Sequence, residues 1–154
     1  MNNQLCETNE AEMFLTVWLG ILEISSGKMI CANAGHEYPA IARKGGEFEL
    51  IHDKHGFVLA GMAGARYREY GLQLNEGDRL FVYTDGVAEA TDAHNELFGT
   101  DRMLAALNKT LNENSEKRLI IVKNEVDAFV GSARGDAALH RQRQSLRPNR
   151  AKRA

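Results

Sequence analysis

The sequence predicts an α+β chain in which a largely antiparallel sheet comes first and helices follow. Three observations predict it. Short apolar runs rich in β-branched and aromatic residues recur along residues 14–84, turn residues separate them, and from residue 100 the apolar residues change to helical spacing. A length of 154 residues, with 44% hydrophobic and 26% charged residues, fits one ordinary globular domain and excludes collagen-like, disulfide-scaffold and wholly disordered chains.

Residues 14–24, FLTVWLGILEI, place Phe14, Thr16, Trp18, Gly20, Leu22 and Ile24 on one side and Leu15, Val17, Leu19, Ile21 and Glu23 on the other. Both sides are mostly apolar, so this strand is expected to be covered on both faces. Ser25-Ser26-Gly27-Lys28 reads as a turn, and residues 29–34 complete an antiparallel hairpin. Further strands are predicted at 38–43 before Gly45-Gly46, at 48–52, at 67–74 before Asn75-Glu76-Gly77-Asp78, and at 79–84. The last delivers Asp85-Gly86 to its C-terminal end, where ligand sites often gather.

Thr100 is predicted to cap a helix with Met103, Leu104, Leu107 and Leu111 on one face. Ser115 is predicted to cap a second, with Leu119, Val122, Val126, Phe129 and Val130 facing inward and Gly131 as its stop.

After Gly131 the composition breaks. Residues 134–154 hold seven Lys or Arg and one acid, Asp136, so this tail carries +6 and residues 1–133 carry −8 within a total of −2. Residues 1–131 are read as the folded part and residues 132–154 as a basic tail that is expected to be disordered. The cations would suit phosphates, but the tail lacks stacking aromatics and the body is acidic, so nucleic acid is not an expected partner. The longest apolar stretch, residues 13–24, contains Thr16, Gly20 and Glu23 and is too short to cross a bilayer. A cytoplasmic protein without membrane association is expected, because the N-terminus also lacks signal-peptide order. Cys6 and Cys31 lack metal-ligand spacing, and Cys31 reads as a buried thiol.

Two segments carry possible chemistry. Asp85, at the end of an apolar strand and before a glycine, can be a carboxylate presented to a hard cation or simply part of a turn. Asn33-Ala34-Gly35-His36 ends another strand and is either a close backbone approach with a proton-exchanging imidazole or a tight turn with an exposed histidine. Glu89 and Asp92 support a metal ligand or belong to a charged loop. Arg66, Arg68 and Glu69 read as a solvated face, although an arginine there could meet a phosphate. His52, His55 and His94 read as surface groups.

In series, NAGHEYPAI at 33–41, GFVLAGM at 56–62, LNEGDRLFVYTDGVAEA at 74–90 and LFGTDRM at 97–103 resemble the C-terminal part of the SpoIIE-type branch of the PPM family of metal-dependent protein serine/threonine phosphatases. The resemblance runs from about residue 3 to residue 131. It implies a partial PPM-type antiparallel β-sandwich flanked by helices. It also implies a pair of Mn2+ or Mg2+ ions held by aspartates, whose bound water attacks phosphoserine or phosphothreonine. By this resemblance Asp85 is the metal-binding aspartate of the TDG motif and Asp136 stands near the first member of a further aspartate pair. No catalytic residue beyond such metal ligands is implied.

The GDFYD-like and DVSGKG-like segments that supply other ligands in the family do not occur in the 154 residues, and no apolar DDITML-like strand follows Asp136. The chain therefore reads as a fragment with an incomplete metal site and impaired activity, whose substrate class is a phosphorylated regulatory protein such as an anti-sigma-factor antagonist. The alternative is a catalytically inactive interaction module that pairs through exposed sheet edges, with homo-oligomers as one form.

Overall fold

A computed structural model describes the backbone of residues 1–145 and the side chains of residues 1–131. The chain divides into two compact units, Met1–Thr84 and Asp85–Ala154. The first contains α1 (Asn2–Glu7), β1 (Val17–Glu23), β2 (Lys28–Ala34), β3 (Ala40–Ala42), β4 (Phe48–Leu50), β5 (Glu69–Gln73) and β6 (Arg79–Phe81). The second contains α2 (Asp85–Ala88), α3 (Gly99–Asn108) and α4 (Ser115–Ser145).

The strands of the first unit form two antiparallel sheets, ordered β1-β2-β5 and β4-β3-β6. The hairpin turn between β1 and β2 demands glycine at position 27. Its φ is +72°, and a Cβ there would lie 1.9 Å from the Leu74 carbonyl oxygen. Register then sorts the side chains of the first sheet. Ile21 pairs with Ile30, Leu22 with Met29, and Cys31 with Tyr70.

One face therefore carries Trp18, Met29, Cys31, Asn33 and Tyr70, and of these Met29, Cys31 and Asn33 are buried. The opposite face carries Leu19, Ile21 and Ile30, which are 55%, 64% and 55% exposed. The expectation that β1 is covered on both faces is thus corrected. Its apolar residues satisfy the sheet's need for a second layer on one face only.

In the second sheet the central strand is covered on both faces, since Ala40, Ile41 and Ala42 are all buried. Its ladder is short. Ala40 pairs with Phe81, and Pro39 before it turns its carbonyl the other way, accepting the Ile51 N–H at 2.8 Å beyond β4. Strand β6 ends at Phe81 and not at Thr84 as its apolar run suggests.

Helix α1 has no counterpart in the sequence reading, because six residues carry too little periodicity to be legible. It is tied down by polar groups. Asn2 accepts from the Ala60 N–H and donates to the Met62 carbonyl, both at 2.9 Å, and Asn3 accepts from the Gly64 N–H at 2.9 Å.

In the second unit Met103 and Leu107 of α3 are buried, as their spacing predicts, together with Ala106, while Leu104 and Leu111 of the same stripe are half-buried. The caps differ. Phe98 occupies the cap position of α3 without a side-chain bond, and α4 is capped by Asn114, whose Oδ1 accepts the Lys117 N–H at 2.8 Å. Arg118 is buried, donating to Thr110 Oγ1, the Thr110 carbonyl and the Glu113 carbonyl at 3.0, 3.0 and 2.8 Å. The inward row of α4 accordingly runs through Arg118 and Val122, and Leu119 is turned outward, correcting its assignment to the core.

Gly131 does not stop α4, which continues to Ser145. One interior glycine costs about 1 kcal/mol relative to alanine, and the helix-forming Ala137-Ala138-Leu139 lies beyond it. The expected disordered tail thus begins inside a helical backbone run, and its residues 146–154 lie outside the described residues.

Candidate functional site

The NAGH segment is built around one amide. Asn33 is buried, its Oδ1 accepts the His36 N–H at 2.8 Å, and its Nδ2 donates to the His36 carbonyl at 3.1 Å and to Asp53 Oδ2 at 3.3 Å. This closes a tight turn in which Gly35 takes φ +69°. The Asn33 carbonyl accepts the Gly56 N–H at 2.8 Å, and a Cβ on Gly35 would meet Val58 Cγ1 at 2.7 Å. Two of the resembling motifs, NAGHEYPAI and GFVLAGM, are thereby locked together. His36 Nδ1 lies 3.0 Å from Thr16 Oγ1, so the imidazole is held by a hydroxyl partner.

Asp53 is a residue that sequence reasoning missed. Its side chain is 2% exposed, its Oδ1 is buried without a hydrogen bond, and His55 Nδ1 lies 3.5 Å from that oxygen. Nothing in HDKH signals burial of the acid, because short loops of charged residues are ordinarily solvated. His52 and His55 both pack against the Tyr38 ring, with centroid separations of 4.9 and 5.0 Å, so they form part of this cluster. Beside it Trp18 Nε1 donates to the Tyr70 hydroxyl at 2.7 Å.

Burial pushes the Tyr70 hydroxyl above the usual tyrosine range against the opposing Trp18 bond, and Asp53 adds to the rise. Burial likewise raises the Cys31 thiol, with the Tyr70 bond opposing and Asp53 reinforcing. Cys31 is the buried, protonated thiol its sequence context predicts.

Asp85 opens α2, one helical turn long. Its Oδ1 accepts the Gly86 N–H at 2.8 Å and its carbonyl accepts the Glu89 N–H at 2.7 Å, so the TDG segment presents an exposed carboxylate from a defined turn. In the first unit, Tyr83 is buried just before this motif, its hydroxyl without a hydrogen bond. Burial, with a contribution from the nearby Glu37 carboxylate, pushes it up to about 12.

Asp92 organises the following loop, accepting the N–H groups of His94 and Glu96 at 2.8 and 2.9 Å. Desolvation would raise its carboxyl, but those N–H groups, Glu96 first, bring it below the usual range. A bridge from Thr91 to Leu97 and the Phe98 N–H bond to the Ala90 carbonyl at 2.7 Å join TDGVAEA to LFGTDRM. Arg66, Arg68 and Glu69 are exposed, in keeping with a solvated face.

Among the described residues no group of three or more His, Cys, Asp or Glu could hold a metal ion. The side chain of Asp136 lies outside the described residues, so Asp85 stands here as a single carboxylate. The described donors by themselves do not make up a two-metal centre. No helix among the described residues is long and apolar enough to cross a membrane.

Mixed helices and two antiparallel sheets give the PPM-like fold class to which RsbU also belongs. The chain belongs to the SpoIIE family, since the description of Stage II sporulation protein E (SpoIIE) matches residues 1–140. That membership supports a PPM phosphatase type of function. The chain is 28% identical over 130 residues to protein IcfG of Synechocystis sp. (strain ATCC 27184 / PCC 6803 / Kazusa), covering 84% of this chain and 20% of that protein. Its fold matches the crystal structure of the RsbU and RsbW domains of Rv1364c from Mycobacterium tuberculosis with a TM-score of 0.65 at 19% identity. That match covers 85% of this chain and 36% of the other. The chain thus spans a minor part of each.

Proposed function

We propose that the chain is part of a metal-dependent protein serine/threonine phosphatase domain whose substrate is a phosphoserine or phosphothreonine of a regulatory protein in the cytoplasm. The observation that carries this reading is Asp85, the TDG aspartate, presented from a defined turn inside a SpoIIE-family match. RsbU and RsbW domains occur together in the Mycobacterium tuberculosis protein, and this supports a partner-switching context in which the substrate is an anti-sigma-factor antagonist.

The metal in this reading is Mn2+ or Mg2+, with Asp85 as a ligand and Asp136 as a second candidate. Hard divalent cations take about six oxygen ligands, and the described residues offer no such cluster, which supports low intrinsic activity for the chain alone. The test is Mn2+ titration calorimetry with a phosphopeptide assay on wild type and Asp85→Ala. Weak Mn2+ binding that Asp85→Ala abolishes, with turnover near background, is the expected result. Robust Mn2+-dependent turnover by the wild type overturns the impaired reading, and equal Mn2+ binding by both proteins overturns the role of Asp85.

A second reading, an interaction module that associates through its sheet, is favoured by the exposed Leu19, Ile21 and Ile30 on the first sheet.

A further inference from the structure

We propose that Arg102 is a positioning residue for the turn that presents Asp85, holding it from α3 and α4. Its bearing on function rests on the reading of Asp85 as a metal ligand. Every group involved belongs to the second unit, Asp85–Ala154.

The turn cannot hold itself. Helix α2 is four residues long with none of them buried, and a lone helical turn is unstable in water because its nucleus fixes several dihedral angles for one bond. The bonds of Asp85 within it reach only to Gly86 and Glu89. Groups farther along the chain supply the rest.

They do so in three steps. The Ala90 carbonyl accepts the Phe98 N–H at 2.7 Å and Thr91 bridges to Leu97, so the chain leaving α2 is tied to the chain entering α3. Arg102, near the start of α3, then grips that entering chain. Its Nη1 donates to the Leu97 carbonyl at 2.7 Å and the Phe98 carbonyl at 3.4 Å, and its Nη2 lies 3.7 Å from Glu96 Oε2. Finally the guanidinium carbon sits 4.7 Å from the centre of the Phe129 ring of α4, and Phe98 meets the same ring edge-on at 5.5 Å.

A guanidinium suits this place because its donors lie in one plane while its face rests on an aromatic ring. One group thereby serves the carbonyls edge-on and α4 face-on. The Glu96 contact is the weakest of these, since it joins two exposed side chains, so the carbonyl bonds and the ring carry the hold.

Arg118 provides the contrast. Its donors serve Thr110 and Glu113, beyond the far end of α3 and away from the chain between Ala90 and Phe98. Loss of Arg118 weakens the unit without releasing the Asp85 turn, whereas loss of Arg102 releases the turn.

The test combines amide hydrogen exchange, Mn2+ titration and urea denaturation on wild type, Arg102→Ala, Arg102→Lys, Phe129→Leu, Arg118→Ala and Asp85→Ala. In Arg102→Ala the Gly86, Glu89 and Phe98 amides are expected to exchange about tenfold faster, the scale of a lost charge-assisted bond, while Leu107 and Val122 keep wild-type exchange. Mn2+ affinity should fall about three- to tenfold, because only molecules with the turn in place bind. Arg102→Lys recovers part of both effects, and Phe129→Leu shows them in smaller degree. Arg118→Ala lowers the urea midpoint and leaves Gly86 and Glu89 unchanged.

Unchanged exchange at Gly86 and Glu89 in both Arg102→Ala and Phe129→Leu overturns the proposal, and so does acceleration spread evenly over α3 and α4. Full recovery by lysine overturns the assignment to the guanidinium plane. If Arg102→Ala does not fold, Arg102→Lys and Phe129→Leu make the same comparison. Mn2+ binding unaffected by Asp85→Ala strikes the metal-ligand reading, and exchange at Gly86 still judges Arg102 without metal.

Discussion

Asn33 donates from Nδ2 to the buried carboxylate of Asp53 at 3.3 Å while the same amide clasps the backbone of His36 on both sides of the turn. One side chain thereby couples the end of β2, the NAGH turn and the loop that follows β4. The coupling joins segments 20 residues apart in sequence.

Asn33→Ala removes these bonds and leaves a buried carboxylate with less support. The expected loss of unfolding free energy is about 2 kcal/mol, since an unsatisfied buried polar group costs roughly 1–3 kcal/mol. Asn33→Asp should lose more, because it places a second acid beside Asp53. Urea denaturation of the three proteins decides this, and an unchanged midpoint for Asn33→Ala refutes the coupling.

Gly35→Ala meets two penalties at once. The residue sits at φ +69°, and its new methyl would lie 2.7 Å from Val58 Cγ1. A loss of about 1–3 kcal/mol is expected, together with faster exchange of the Gly56 N–H that bonds Asn33. Thermal melts with exchange at Gly56 measure both.

Asp78 governs an acid-side dependence. Its carboxylate accepts the N–H groups of Asn75 and Lys44 at 3.0 and 2.9 Å and pairs with Arg43 at 2.7 Å. The Asn75 N–H first, then Arg43, hold it at about 2 against an ordinary 3.8. A depressed folded value means that its stabilisation is present above the unfolded value and is lost as pH falls through the folded one. The stability gap between wild type and Asp78→Asn should be steady above about pH 5 and close between about pH 4 and pH 2. Denaturation series at several pH values test this, and a gap that widens on acidification contradicts the sign.

Arg118→Ala strips donors from three oxygens at the start of α4. A loss of about 1.5–3 kcal/mol is expected, the range for hydrogen bonds to charged groups. Arg118→Lys should recover only part of it, since one ammonium cannot reproduce the planar fork that serves Thr110 and Glu113. Chemical denaturation of both variants is the measurement, and full recovery by lysine would show that charge alone matters.

Much of the fold was legible because its signals are local. Turn residues mark every hairpin in the first unit, and the stripe through Met103 and Leu107 reports the buried face of α3. What misled was the assumption that an apolar residue is an inward one. Leu119 has helical spacing, but Arg118 takes the inward place by satisfying carbonyls that no neighbouring hydrophobe could satisfy. The site was legible as motifs and not as a network. Asp85 stood out by its TDG context, whereas Asp53 gave no sign, because its burial depends on Asn33 and Tyr70 arriving from two different strands.

By itself the sequence determined the order of the six strands and of α3 and α4, the family motifs and the two aspartates worth asking about, since each is written in spacing of a few residues. Tertiary structure alone decided which face of β1 is covered and which acid is buried. It also set where pairing stops, with β6 ending at Phe81 opposite Ala40. Those outcomes depend on what lies opposite a residue in space, and hydrogen bonding and exclusion of water are settled there and not along the chain.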